Sequence, residues 1–320
     1  MMKGFIKKSL LFVAGLFLVD TLLYVLLLTA CSYFYPNDYA QARLYPDSDM
    51  LILGTSHAGE GFDPAVIKKV MGQEAYNLGR ARRNVEYGYY LSRYLVKQKR
   101  KVKTVVFGVN YHDFAEHTRP YMIFPFLEHD SERAHEAWEL FRQRSLVPGR
   151  NFFLCDRYSA DIRMVLSRSI AWLKNQKREA PFTFTNDRGF NASHGKIKDV
   201  GDSEHFATFA FKKESSKVEA LKRTIKLWRN EGVKVYLIDP PEFIGTRMSR
   251  PEYDQFAKFM SDLAFECDAT FKSFNLPHNP LMQKSELFKD GGWGHPNSHL
   301  NRQGAALFSE EFSLWLLDQE

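Results

Sequence analysis

A serine hydroxyl becomes a nucleophile only when a base, most often a histidine imidazole, takes its proton, and the oxyanion it then creates needs N–H donors aimed at it. Residues of these types stand where strands are predicted to end. Ser56 follows the apolar run Met50 to Leu53 in the small-residue stretch Gly54-Thr55-Ser56-His57-Ala58-Gly59. Gly79 closes Ala75-Tyr76-Asn77-Leu78-Gly79, Asn110 closes a β-branched run from Thr104, and His299 lies between Asp290 and Gly304 ahead of the last helical pattern. The carboxyl ends of strands in open parallel sheets are where ligands bind, so one edge would gather all four. His299 can serve as the base for Ser56. The backbone N–H groups of Ser56 and Gly79 and the side-chain amide of Asn110 are oxyanion donors of the right kind. Each also has a plain structural reading: Ser56 and Asn110 as turn formers, Gly79 as a strand-ending glycine, His299 as a histidine at a helix edge.

The elements that would position these residues alternate in type. A strand at 50–53 precedes a helix from Pro64 to about Met71, with Asp63 as N-cap, Pro64 in the first turn and Gly72 as the stop. A short strand at 75–79 leads to a helix from Asn84 to about Lys99, whose Tyr87, Leu91, Tyr94 and Leu95 share one face. A strand from Thr104 to Val109 follows. After residue 215 the pattern resumes with a helix carrying Val218, Leu221, Ile225 and Trp228, and a strand at Val233 to Ile238. A helix opened by Ser249 and Pro251, a strand at Ala269 to Phe274, and a helix from Arg302 to Leu317 complete it. Alternation of this kind predicts an α/β fold with a parallel sheet sandwiched by helices. Between Tyr111 and Ser215 the alternation lapses. Two amphipathic patterns, 131–144 and 156–174, and a polar stretch describe a largely helical insertion, readable as a lid or partner surface.

The N-terminus predicts location. Lys3, Lys7 and Lys8 precede an apolar run from Leu10 to Ala30, long enough for the ~20 residues a bilayer requires. Lysines before the run and none just after it place the N-terminus in the cytoplasm and the rest of the chain beyond the membrane. Leu28-Thr29-Ala30-Cys31 also resembles a lipobox, the alternative being a lipoprotein anchored at Cys31. Asp20 within the span is expected to face a partner or cavity. The expected division is an anchor at 1–33, a spacer at 34–48, the α/β domain at 49–110 and 216–320, and the insertion at 111–215.

The chain has 320 residues and a net charge of +6, with its 44 Lys and Arg scattered and without a stripe interleaved with stacking aromatics, which argues against nucleic-acid binding. Cys31, Cys155 and Cys267 form no metal-type spacing; a Cys155–Cys267 bridge stays open. His295 and His299 have a helical metal spacing, but Gly294 and Pro296 oppose a helix there. Arg80, Arg82 and Arg83 can meet an anionic polymer or simply line a solvated helix start. Asp239, after the fourth strand, and His57, beside the serine, read as locally bonded alternates.

Four blocks in this order, Gly54-Thr55-Ser56, Asn77-Leu78-Gly79, Gly108-Val109-Asn110 and His299-Leu300-Asn301-Arg302-Gln303-Gly304, resemble the SGNH (GDSL-like) hydrolase superfamily. With the N-terminal anchor, the chain is most similar to the membrane-tethered members that work in cell-envelope polymer acylation, the alginate-acetylation and teichoic-acid D-alanylation types. The resemblance implies an SGNH-like (flavodoxin-like) sheet with Ser56 as nucleophile, His299 as general base, and Ser56, Gly79 and Asn110 forming the oxyanion hole. It implies an esterase or O-acyltransferase with no cofactor and no metal, acting on an envelope polysaccharide or teichoic-acid-like polymer, with a multi-pass membrane O-acyltransferase as partner. Family members carry Asp three residues before the histidine, where this chain has Pro296, with Asn297 beside it. The orienting acid is therefore assigned to Asp290. The alternatives are a Ser-His dyad or a non-catalytic adaptor that binds polymer or the partner.

Overall fold

The computed structural model describes residues 2–34, 38–81, 83–114, 187–197, 211–250, 252–290 and 296–319, with the isolated residues Ile123, Phe126 and Ile170. At 28, 31–34, 39–40, 290 and 296–298 the backbone alone is described. The helix expected at 131–144 and, Ile170 apart, the one expected at 156–174, together with Cys155, Arg82 and His295, lie outside these residues. The chain divides into two compact units, one of residues 1–44 and 119–186, the other of residues 45–118 and 187–320.

In the first unit, α1 (Met2–Phe34) is a single helix. Its stretch Met2–Leu27 has a mean hydropathy of 2.5 and is long and apolar enough to cross a membrane. Apolar side chains cover it, among them Leu10, Phe12, Leu18, Leu22 and Leu26, all exposed. Its hydroxyls are turned inward: Thr21 donates to the Phe17 carbonyl at 2.8 Å and Thr29 to that of Val25 at 2.9 Å. Asp20, the carboxylate within this apolar helix, is buried. A short α2 (Asp38–Leu44) returns along it, and Arg43 donates to the Tyr24 hydroxyl at 2.8 Å.

The second unit is built on a five-stranded parallel sheet: β1 (Met50–Gly54), β2 (Ala75–Asn77), β3 (Thr104–Gly108), β4 (Lys234–Asp239) and β5 (Thr270–Ser273), in the order β2-β1-β3-β4-β5. β1 and β3 are buried at every residue, because helices cover both faces. On one face α4 (Pro64–Met71) and the C-terminal α9 (Arg302–Leu317) pack on Met50, Ile52, Val106, Tyr236 and Ile238. The buried Phe308, Phe312 and Leu316 recur at the helical period that makes α9 one-sided. On the other face lie α5 (Val85–Lys97) and α6 (Ser215–Asn230), where Trp228 donates to Ser92 Oγ at 3.0 Å.

Local chemistry explains the boundaries. The Asp63 carboxylate accepts the Ala65 N–H, Pro64 opens α4, and Gly72 ends it with φ +71°. Asn84 accepts from Tyr87 to start α5. Three features depart from the sequence expectation. Ser56–Gly61 is a one-and-a-half-turn helix, α3, rather than a turn. A separate short helix, α7 (Ile244–Met248), precedes α8 (Tyr253–Glu266). The loop expected around His299 contains an antiparallel pair, β6 (Phe288–Asp290) with β7 (Pro296–Leu300), in which Phe288 faces Leu300 and both are buried. Residues 187–197, expected within the insertion, pack on this unit through buried Phe190 and Ile197. Cys267 is a free thiol.

Asp239, at the end of β4, ties three elements: its Oδ2 accepts from the Tyr253 hydroxyl of α8 and from Ser273 Oγ of β5. Burial pushes its pKa up to about 8. In the unfolded chain the carboxyl ionises at its ordinary value of 3.8, so its contribution to stability is complete below that value and is lost as pH rises to about 8. In Asp239→Asn the melting temperature of the detergent-solubilised chain is expected to fall less steeply between about pH 4 and pH 8 than in wild type. Parallel slopes would count against this.

Candidate functional site

In this strand order the chain reverses its direction of strand addition between β1 and β3, and the crevice at their carboxyl ends is the default ligand position. α3 sits directly over that crevice. Ala58 on its inner face rests on three glycines: a Cβ at Gly54, Gly79 or Gly108 would approach the Ala58 Cβ to 3.1, 2.9 or 2.6 Å. Gly54 also has φ +128°, and a side chain there would meet the Gly108 carbonyl oxygen at 2.3 Å. The three glycine-containing blocks are thus explained first by the seat they form for α3.

Asn77 locks the seat. It is fully buried, its amide donates to the carbonyls of Ala58 and Phe62 at 2.9 Å each, and its Oδ1 accepts the Gly79 N–H at 2.9 Å. The Gly79 N–H expected to bind an oxyanion therefore already has an acceptor. Ser56 is the first residue of α3, where backbone N–H groups lack an intrahelical partner.

The structure brings Ser56 and His299 together: Nε2 of His299 lies 2.6 Å from Ser56 Oγ. β7 carries the histidine there, and the residues after it hold the strand end. Asn301 caps α9 by accepting the Gly304 N–H at 3.0 Å, and its amide donates to the carbonyls of Glu286 at 2.6 Å and Gly195 at 2.8 Å. Gly304 is small because a Cβ would meet the Leu287 carbonyl oxygen at 2.3 Å. Asn301 and Gly304 are thus positioning residues for β7.

The His57 ring stacks on that of His299, with centroids 4.1 Å apart and planes at 21°. Burial, with the neighbouring cation of Lys289 and with His57, holds His299 well below the ordinary imidazole range, so it is a neutral base at physiological pH. Lys289 of β6 is itself paired with Glu60 of α3. Asp290 ends β6 opposite Pro296, and its side chain lies outside the described residues.

Asn110 follows β3. Its amide donates to Glu242 Oε1 at 3.2 Å, its Oδ1 accepts the His112 N–H at 3.2 Å, and its own N–H donates to Asp113 at 2.7 Å. Arg80 is held by the carbonyls of Gly79 and Gly189 at 2.7 and 2.9 Å, and Arg83 donates to the Ala81 carbonyl at 3.0 Å. No group of three metal-ligating side chains occurs among the described residues. Beside β7, an open groove of about 490 Å³ is lined by His194, Lys196, Glu286, Asn301 and Arg302 among others.

Sequence reasoning passed over Asn77, Glu242 and Asn275. All three stand at or just beyond strand ends, so the edge rule that singled out Ser56 and Asn110 also marks them. No family model matches the chain, and no curated protein matches it.

Proposed function

We propose that the chain is a membrane-anchored serine esterase or O-acyltransferase with an SGNH-like fold, working on acyl esters of a cell-envelope polymer on the extracytoplasmic side. The observation that carries this is the 2.6 Å contact between Ser56 Oγ and a half-buried, neutral His299 at the crevice between β1 and β3. Ser56 would attack the acyl carbon as His299 takes its proton. The acyl group would then sit on Ser56 Oγ as an ester, and His299 would return the proton to the leaving alcohol. Water as acceptor completes an esterase and a sugar hydroxyl completes a transferase.

The Ser56 N–H at the start of α3 and the Asn110 amide are the donors assigned to the oxyanion. Gly79 is kept as an oxyanion candidate only where the Asn77 bond gives way, and Asp290 as the candidate orienting acid. The open groove beside β7, with Lys196 and Arg302 in its lining, supports an extended polar substrate, polysaccharide or teichoic-acid-like. α1 supports a single-pass anchor with the N-terminus in the cytoplasm. A multi-pass O-acyltransferase remains the proposed partner.

The rival reading, a non-catalytic adaptor, is favoured by the prior commitment of the Gly79 N–H. A fluorophosphonate probe separates the two. The full-length protein in detergent is expected to become covalently labelled, and Ser56→Ala to lose the label. Equal labelling of Ser56→Ala, or none of wild type, would sink the catalytic reading.

A further inference from the structure

Behind the Ser56–His299 pair lies a polar cluster that a serine and its base do not require. At its centre is Glu242, three residues past β4 and fully buried. Its Oε1 accepts from the Asn110 amide at 3.2 Å, lies 3.4 Å from Arg250 Nη2 and faces His57 Nε2 at 3.7 Å. Its Oε2 accepts from the Asn275 amide at 3.3 Å, and its backbone N–H donates to Asn275 Oδ1 at 3.1 Å. Arg250 also meets the His112 ring.

Burying a carboxylate is costly unless it is paired. Arg250 and two amides partner the Glu242 carboxylate, but they do not account for its placement against His57. Burial and the cation of Arg250 push His57 down to about 3, with His112 and Lys289 adding to the effect. His57 is therefore neutral, and its 3.7 Å contact is a charge facing a ring dipole rather than an ion pair. The same ring stacks on His299.

Proton transfer from Ser56 makes His299 a half-buried cation. The titratable and charged groups around the pair are Lys289 of β6 with its partner Glu60 of α3, His112 after β3, Glu242 after β4 and Arg250 before α8. Of those that act on His299, Lys289 opposes the cation and Glu242 favours it.

We infer that Glu242 is a positioning residue for the base: it fixes the His57 ring against His299 and supplies negative charge that favours proton transfer from Ser56. This rests on the Ser56–His299 chemistry proposed above.

The test is the rate of fluorophosphonate labelling of the full-length protein in detergent, followed from about pH 4 to pH 9, alongside its melting temperature. In Glu242→Gln, which keeps the side-chain shape, the plateau rate is expected to fall about tenfold. The inflection should move to lower pH by up to about one unit, the shift that corresponds to a tenfold change in proton affinity. Glu242→Asp keeps the charge but withdraws it by a methylene, so its inflection should lie between the two. It carries the test alone if the glutamine variant does not fold. An inflection unchanged from wild type in the folded variant, with or without a lower plateau, overturns the proposal and leaves the Ser56 chemistry standing. A wild type that takes no label at Ser56 brings down both.

Discussion

His299→Gln is expected to slow fluorophosphonate labelling of Ser56 by about 100- to 10,000-fold, the usual worth of a positioned general base. Glutamine can hydrogen-bond to Ser56 Oγ across the present 2.6 Å contact but cannot take up its proton. The melting temperature should change little, because the fixing of β7 depends on Phe288, Leu300 and Asn301 rather than on the ring of His299. Wild type should show the pH signature of a depressed base. In the proposed mechanism the neutral form of His299 is the active one, and burial holds its pKa well below the ordinary 6.5. Its labelling rate should therefore stay level as pH falls through 6.5 and drop only at more acid values. An inflection at the ordinary imidazole value, or a glutamine variant labelled at the wild-type rate, would contradict the assignment of His299.

The largest effect on stability is expected from Asn77→Ala. This substitution removes the donor to two buried carbonyls, those of Ala58 and Phe62, and the acceptor of the Gly79 N–H. Leaving buried partners unsatisfied costs ~1–3 kcal/mol each, so a loss on the order of 4 kcal/mol is expected. For a domain of this size that corresponds to a melting temperature lower by roughly 10 °C. The change should also reach the chemistry. α3 rests on its glycine seat with Asn77 as its polar latch, and Ser56 is its first residue. Labelling is expected to fall even at temperatures where the variant is folded. A melting temperature within about 2 °C of wild type would show that the packing of Ala58 alone holds α3.

Much of the frame was legible because its signals are local. Asp63, Pro64 and Gly72 bound α4 by their own side-chain and backbone chemistry, and Asn84 does the same for α5. The fully apolar run at 50–53 reads as a strand buried on both faces, and β1 is one. The β6–β7 pair was not legible: Phe288 and Leu300 are twelve residues apart, and the run between them has the glycines and proline of an ordinary loop. Its pairing comes from the burial of Phe288 and Leu300 against the sheet, which is a tertiary event.

For the site, residue types and their order along the chain were enough to single out Ser56 and His299, because parallel strands deliver their carboxyl ends to one edge whatever lies between them. Their 2.6 Å approach was decided by the tertiary structure, as were the stacking of His57 on His299 and the burial of Glu242 behind them. Those contacts join residues from the ends of β1, β4 and β7, and no sequence spacing encodes a distance across a sheet. The stretch from Asp49 to Pro64 determined by itself that a strand would end in a small-residue segment bearing a serine. Only the packing of Ala58 on Gly54, Gly79 and Gly108 turned that segment into a helix whose first residue meets the histidine.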